Sequence, residues 1–276
     1  MVLLSNLVVL DLSSNLFSGE LPREISQLLR LQVLKLGDNQ FSGGLPSELG
    51  DLIQLQTLEL GPNFFSGVIP ADIGRLSNLE SLDLSSNSFT GIIPSEIGTL
   101  SNLIDLYLGI NRFSGLLPPE IGNLENLQNF FSPSCSIQGP LPDTISNRKS
   151  LSKLDLSYNP LKCSIPKSIG HLQNLTILNL VYSELNGSVP SELGNCRNLK
   201  TLVLSFNSLS GSLPQELSQL PLLSFSTENN QLSAFHRHDR LSFYLTPPPL
   251  SELGGAEEDD PAGRDEGGEV AHPSPI

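Results

Sequence analysis

The groups in this chain that could do chemistry are few and scattered. Its 276 residues include three cysteines and four histidines. An odd number of thiols leaves at least one unpaired. Cys196 stands where other stretches carry Leu76, Leu100 and Leu172, so it reads as a small apolar core residue. A disulfide between Cys135 and Cys163 depends on geometry, and two free thiols is the default. His171 reads as solvated. His236-Arg237-His238 has no third ligand fixed nearby, so neither a metal nor a cofactor is expected. Glu24, Glu48, Asp72, Glu96 and Glu120 recur just after prolines. They read as carboxylates at the start of short helical turns, where the helix dipole favours them. No nucleophile, base and orienting group converge, and no acid pair leaves this register. The expectation is a chain without catalytic residues.

Binding chemistry is a better prospect. Two columns of residues that alternate with leucines carry aromatics on consecutive copies of a motif. Tyr158, Tyr182 and Phe206 form one such run, and Tyr107 and Phe131 the other. If the columns face solvent on neighbouring strands, each pair is within side-chain reach. A contiguous exposed aromatic patch marks a protein-binding surface. Lys153 and Asp155 flank it and would tune specificity. The plainer alternative is that these rings cover the edge of a turn. Asn174-Leu175-Thr176 and Asn186-Gly187-Ser188 have the form of N-glycosylation acceptors. Asn174 is expected before a strand, and Asn186 on the loop after one.

The elements that position these side chains come from one repeat. Leu-x-x-Leu-x-Leu-x-x-Asn-x-Leu/Phe-x-Gly-x-Leu/Ile-Pro returns every 24 residues from Leu7, Leu31, Leu55, Leu79 and Leu103. It is degraded from Leu127, resumes from Leu151, Leu175 and Leu199, and a partial tenth copy begins at Leu222. A fixed period in this range with this spelling specifies a solenoid. In Leu82-Asp83-Leu84 apolar and polar residues alternate as in a short strand with one buried face. Leu79, Leu82, Leu84, Phe89, Ile93, Ile97 and Leu100 would point inward, each burial worth about 1.5–3 kcal/mol once copies stack. The column Asn15, Asn39, Asn63, Asn87, Asn111, Asn159, Asn207 and Asn230 forms a structural ladder. Its amides carry both donors and an acceptor for turn groups buried in the stack. Cys135 and Ser183 replace it with weaker hydrogen bonding.

Composition sets further limits. The formal charge is −14. Residues 1–130 hold 5 Lys/Arg against 14 Asp/Glu, whereas residues 131–233 hold 7 against 6. No basic patch suits nucleic acid. The acidic first part would favour encounter with a basic ligand, although a solvated surface is the preferred account, because an acid after the Pro is a habit of the repeat. The start of the chain has no signal-peptide pattern, and no apolar run is long enough for a membrane span. Residues 1–233 read as the solenoid and residues 234–276 as a disordered, acidic, Pro/Gly-rich tail. Leu241–Leu245 is a candidate to cover the last strand edge.

The repeat resembles the plant-specific class of leucine-rich repeats, which builds the extracellular parts of receptor-like kinases and receptor-like proteins. The resemblance covers about residues 4–233. A finer resemblance, to the anther receptor kinases named for excess microsporocytes, rests on Phe131–Cys135, Asp155–Pro166 and Leu204–Gly211. The repeat resemblance implies an α/β solenoid, a right-handed superhelix with a parallel concave sheet; this sequence supplies about nine to ten repeats, uncapped, where the family has many more. The finer resemblance implies a small secreted protein or peptide as ligand, a co-receptor kinase as partner, and the extracellular face of the plasma membrane as location. The family's Ser/Thr kinase motifs have no match in this chain, which reads as an ectodomain fragment. Rival expectations are an immune receptor-like protein, a cell-wall-enzyme inhibitor, or a nonfunctional truncated gene product.

Overall fold

The computed structural model describes residues 4–147 and 150–233. It is an α/β solenoid of ten rungs, numbered here 1 to 10 from the repeats beginning at Leu7 to Leu222. Each rung contributes one three-residue strand to a single ten-stranded parallel sheet, from Val9–Asp11 to Ser224–Ser226. Register is maintained along it: Leu58 pairs with Leu82, Leu82 with Leu106, and Phe130 with Leu154. The strands are short because only Leu-x-Leu alternates. The leucines of that triplet point into the coil, and Leu34, Leu58, Leu82, Leu106, Leu154, Leu178 and Leu202 are fully buried.

The opposite side of rungs 1–9 is a five-residue 3-10 turn that follows the Pro, such as Ser95–Thr99 after Pro94. The helical part of the repeat is therefore 3-10 rather than α, too short for α-helical bonding to propagate. These turns stack because of a glycine column. A Cβ on Gly98 would lie 2.4 Å from the Glu120 carbonyl oxygen of the next rung.

Between the two sides, the asparagine ladder is as expected from sequence. Asn111 Nδ2 donates to the Leu84 carbonyl one rung back (2.9 Å) and to the Leu108 carbonyl of its own rung (2.9 Å). Its Oδ1 accepts the Phe89 backbone N–H at 3.0 Å. One side chain thus satisfies backbone groups of two rungs that no water can reach. Asn39, Asn63, Asn87, Asn159, Asn207 and Asn230 repeat the pattern, and Asn15 on the first rung donates only to carbonyls of its own rung.

Two features were not anticipated. Phe17, Phe41, Phe65, Phe89 and Phe113 stack ring on ring through rungs 1–5, with centroids 6.0–6.4 Å apart. From rung 6 the column continues as Ile137, Leu161, Leu185 and Leu209. A second Asn column, Asn78, Asn102, Asn126 and Asn198, donates to the carbonyls of Ile53, Ser77, Ser101 and Gln173 on the preceding rung. Both are visible in the sequence at the 24-residue period.

A second layer of strands flanks the ladder. Ser18–Glu20, Gln40–Gly43, Phe64–Gly67, Ser88–Gly91 and Arg112–Phe113 make a five-stranded sheet. Asn186–Gly187, Ser208–Ser212 and Gln231–Ser233 make a three-stranded one. Between them only isolated bridges remain, Leu116 to Gln138 and Ser164 to Asn186. The break coincides with the replaced ladder residues. Asn111 sends its own backbone N–H to the Ser134 carbonyl, but Cys135 sends its N–H to Asn159 Oδ1, which also accepts from Ile137. Ser136 then takes φ 60°, and Glu184 after Ser183 takes φ 51°. A second left-handed residue bends the chain out of strand geometry.

Candidate aromatic recognition surface

On nine of the ten rungs the residue before the ladder position sits in the left-handed region: Ser14, Asp38, Ser86, Ile110, Ser134, Tyr158, Tyr182, Phe206 and Asn229 have φ between 51° and 56°, and rung 3 has Pro62 there instead. On these rungs the conformation aims the backbone N–H along the stack. Tyr158 N–H donates to the Val181 carbonyl (2.9 Å), and Phe206 N–H to the Glu228 carbonyl (2.9 Å). A bulky or β-branched side chain at positive φ is uncommon and costs of order 1–3 kcal/mol. Polar or small residues fill most of this column, yet rungs 5, 7, 8 and 9 use Ile110, Tyr158, Tyr182 and Phe206, with Ser134 between the first two.

The expected surface is there, in part. Tyr158, Tyr182 and Phe206 are 52%, 44% and 38% exposed. Their rings stack at 5.0 and 4.3 Å with interplanar angles of 19° and 12°. Tyr107 and Phe131 also stack, at 5.4 Å. Tyr107 is half-buried, and burial, with the charges of Asp105 and Asp83, pushes its hydroxyl above its ordinary value.

Two assignments from sequence need correction. Phe131 is 5% exposed and Asp155 4%, so neither presents itself to a partner. Their column faces the inner side, but each is flanked in register on both sides: Phe131 by Tyr107 and Asp155, and Asp155 by Phe131 and Asn179. At about 4.8 Å between strands, neighbours of this size close over one another. Asp155 is a stitch. It accepts from the Ser157 N–H (2.9 Å), the Ser157 hydroxyl (2.6 Å) and Asn179 Nδ2 (2.8 Å). Burial still raises its pKa against the pull of those bonds. Lys153, two residues earlier on the same strand, is half-buried and has no ion-pair partner among the described residues.

Sequence reasoning missed the rim of this surface. Lys162 and Glu184 pair at 3.9 Å, both well exposed, an interaction of little energetic weight. Ile110 is 54% exposed in the same column as the rings. Its signal was the period itself: reading the pre-Asn column for apolar residues, rather than aromatics alone, finds it.

Away from this surface the chemistry-bearing residues are quiet. All three thiols are free, and Cys135 and Cys196 are buried. Cys196 packs in the core as expected, its thiol donating to the Ile169 carbonyl at 3.3 Å. Burial pushes both Cys135 and Cys196 up to about 11. Among the described residues no three His, Cys, Asp or Glu side chains are placed to hold a metal ion. His171 is exposed at the end of a 3-10 turn. Glu24, Glu48, Asp72, Glu96 and Glu120 do lie in first turns. Asn174 is exposed at the position of the second Asn column. Asn186 is exposed but opens a two-residue strand rather than lying on a loop. His236, His238, Leu241–Leu245 and the rest of the proposed tail lie outside the described residues, and among those described no helix is long and apolar enough to cross a membrane.

Comparison with known proteins fixes the family. The Leucine Rich Repeat model matches residues 6–28, 30–52, 78–100, 102–124, 150–172 and 198–220, together half of the chain. The chain is a leucine-rich-repeat protein. This leucine-rich-repeat protein matches no curated protein in sequence, but its fold has close solved counterparts. The Arabidopsis receptor kinase HAESA, in complex with the peptide hormone IDA and the co-receptor SERK1, is 40% identical with a TM-score of 0.80, over 82% of this chain and 38% of that one. The plant peptide hormone receptor RGFR1, in complex with RGF2, is 33% identical with a TM-score of 0.74, over 83% and 41%. A plant ice-binding protein is 28% identical with a TM-score of 0.70, over 82% and 72%. The leucine-rich-repeat chain thus spans about two fifths of the length of the receptor ectodomains it resembles.

Proposed function

We propose that this chain is a ligand-recognition segment of a plant leucine-rich-repeat receptor. It would hold an extended secreted peptide or small protein along the side bearing Tyr158, Tyr182 and Phe206, and act by binding rather than catalysis. The observation that carries this is the exposed three-ring stack. These rings occupy backbone positions that disfavour bulky side chains, so turn-covering, which Ser or Asp performs on other rungs, does not explain them. The likeness to HAESA with IDA and SERK1 and to RGFR1 with RGF2 supports a peptide ligand and a co-receptor kinase. In that setting the chain belongs to the extracellular side of the plasma membrane, signals through association with the co-receptor, and carries glycans at Asn174 and Asn186. The anther receptor kinases named for excess microsporocytes are the branch its irregular rungs point to.

The test is to pan a library of secreted-type peptides on the full chain and measure the recovered peptides against Tyr158→Ala/Tyr182→Ala. The expected outcome is a loss of about tenfold or more, the weight of one lost aromatic anchor, with an unchanged melting temperature. Equal affinity would refute the reading.

A second reading has one observation behind it. On the five-stranded flank, Ser66 and Thr90 stand beside the exposed Val68, Ile92 and Leu116, a regular array of hydroxyl and methyl groups. The ice-binding relative shares this coil. Thermal hysteresis that is present in the chain and abolished by Thr90→Tyr would favour it.

A further inference from the structure

Rungs 5, 6 and 7 place Ile110, Ser134 and Tyr158 in one column with the same backbone conformation, φ 55° at each. The matching inner strands pair in register, Tyr107 with Phe131 and Phe131 with Asp155. The three side chains therefore leave the coil in the same direction. Ile110 and Tyr158 are 54% and 52% exposed, and the serine between them is too small to fill its place. Two rungs at about 4.8 Å each separate the walls by about 10 Å. Farther along the column, rings on adjacent rungs stack at 5.0 and 4.3 Å. One ring thickness is thus missing between Ile110 and Tyr158. The Tyr158 face turned away from Tyr182 is the open end of the stack.

Two cations lie close to the notch in sequence. Arg112 follows Ile110 by two residues and Lys153 precedes Tyr158 on the inner strand, and neither has an ion-pair partner among the described residues. Of the nearby acids only Glu184 is paired with a cation, and Asp105 and Asp155 are held by neutral donors. Asp105 accepts from Asn129, Asp155 from Ser157 and Asn179, and Glu184 faces Lys162.

We propose that the Ser134 notch takes one aromatic side chain from an acidic peptide segment, which extends the Tyr158–Tyr182–Phe206 stack by a fourth ring while its carboxylates face Arg112 and Lys153. This names the ligand chemistry of the surface proposed above and rests on that reading. Offset stacking against the Tyr158 face favours a flat ring over an aliphatic group.

The chain has no tryptophan, so a tryptophan probe reports on itself alone. Capped Asp-Trp-Asp and Lys-Trp-Lys tripeptides are titrated with the full chain, and the emission shift is followed. Asp-Trp-Asp gives a saturable blue shift and Lys-Trp-Lys binds more weakly. Ser134→Tyr fills the notch with the chain's own ring and weakens Asp-Trp-Asp by about tenfold, the scale of one lost ring stack with its burial. The melting curve checks the fold. Ile110→Ser, which removes the other wall and a β-branched residue from positive φ, is the second arm and weakens binding too. The proposal is overturned by no saturable shift, by an unchanged affinity in both variants, or by tighter binding of Lys-Trp-Lys. If library peptides lose affinity to Tyr158→Ala/Tyr182→Ala but not to Ser134→Tyr, the recognition surface stands and the notch falls.

Discussion

Rungs 1–5 and rungs 7–9 solve the same stacking problem with different side chains in different places. In the first group the aromatic column is inside: Phe41, Phe65, Phe89 and Phe113 are buried in a stack at 6.0–6.4 Å spacing that the half-exposed Phe17 ends. The pre-Asn column outside is mostly Ser, Asp and Pro. In the second group the core column is Leu, and the rings have moved to the surface, at 4.3–5.0 Å. Aromatics in the core column secure the coil, and aromatics at the turn offer it to something else. The difference separates residues kept for stability from residues that stability alone does not ask for.

Mutations can break that separation. Phe89→Ala, in the centre of the inner stack, is expected to cost about 4 kcal/mol through lost burial and cavity formation. Leu185→Ala, its counterpart on rung 8, is expected to cost about 3 kcal/mol. The gap reflects the stacking of Phe89 against Phe65 on one side and Phe113 on the other. Denaturant unfolding of both variants checks this, and equal costs would remove the distinction between the columns. Next comes the ladder. Asn111→Ala strands the Phe89 N–H and takes one donor each from the Leu84 and Leu108 carbonyls, which keep Asn87 and Cys135, at about 3 kcal/mol, whereas Ser183→Ala loses only two long hydroxyl bonds, at about 1 kcal/mol.

Smaller effects sharpen the comparison. Asp155 has its pKa raised by burial. The folded state therefore holds that proton more tightly than the unfolded state. Stability from this group is fully present below the unfolded pKa and is lost as pH rises through the folded one. Asp155→Asn removes the dependence, so unfolding midpoints of variant and parent shift relative to each other, in the variant's favour, from acid to neutral pH. The smallest effect is at the surface. Tyr182→Asn loses stacking but gains a residue suited to positive φ, and its stability stays within about 1 kcal/mol of the parent. Calorimetry that found a larger loss would return the outer rings to a structural role.

Much of this was legible in the sequence, because period and spelling specify the repeat and each rung repeats the same local solution. The ladder, the inward leucines and the exposure of Tyr158, Tyr182 and Phe206 follow from position within the motif. The burial of Phe131 and Asp155 did not, because alternation says which face a side chain leaves from and nothing about how far its neighbours overhang it. The interrupted flank was equally hidden. Cys135 and Ser183 look like tolerable substitutes for Asn one rung at a time, and the rerouted N–H bonds to Asn159 and Asn207 emerge only between rungs.

That interruption has a dynamic consequence. In a linear array each unit is held by its two neighbours, and opening starts where nearest-neighbour coupling dips. Rungs 6 and 7 share inner-strand pairing and the bonds of Asn159, but no flank bridge among the described residues. Amide protons near Ser136 and Lys162 should therefore exchange with solvent ahead of those on either side. Protection along the chain would then trace two plateaus with a trough between them, and the aromatic notch sits at the trough's edge.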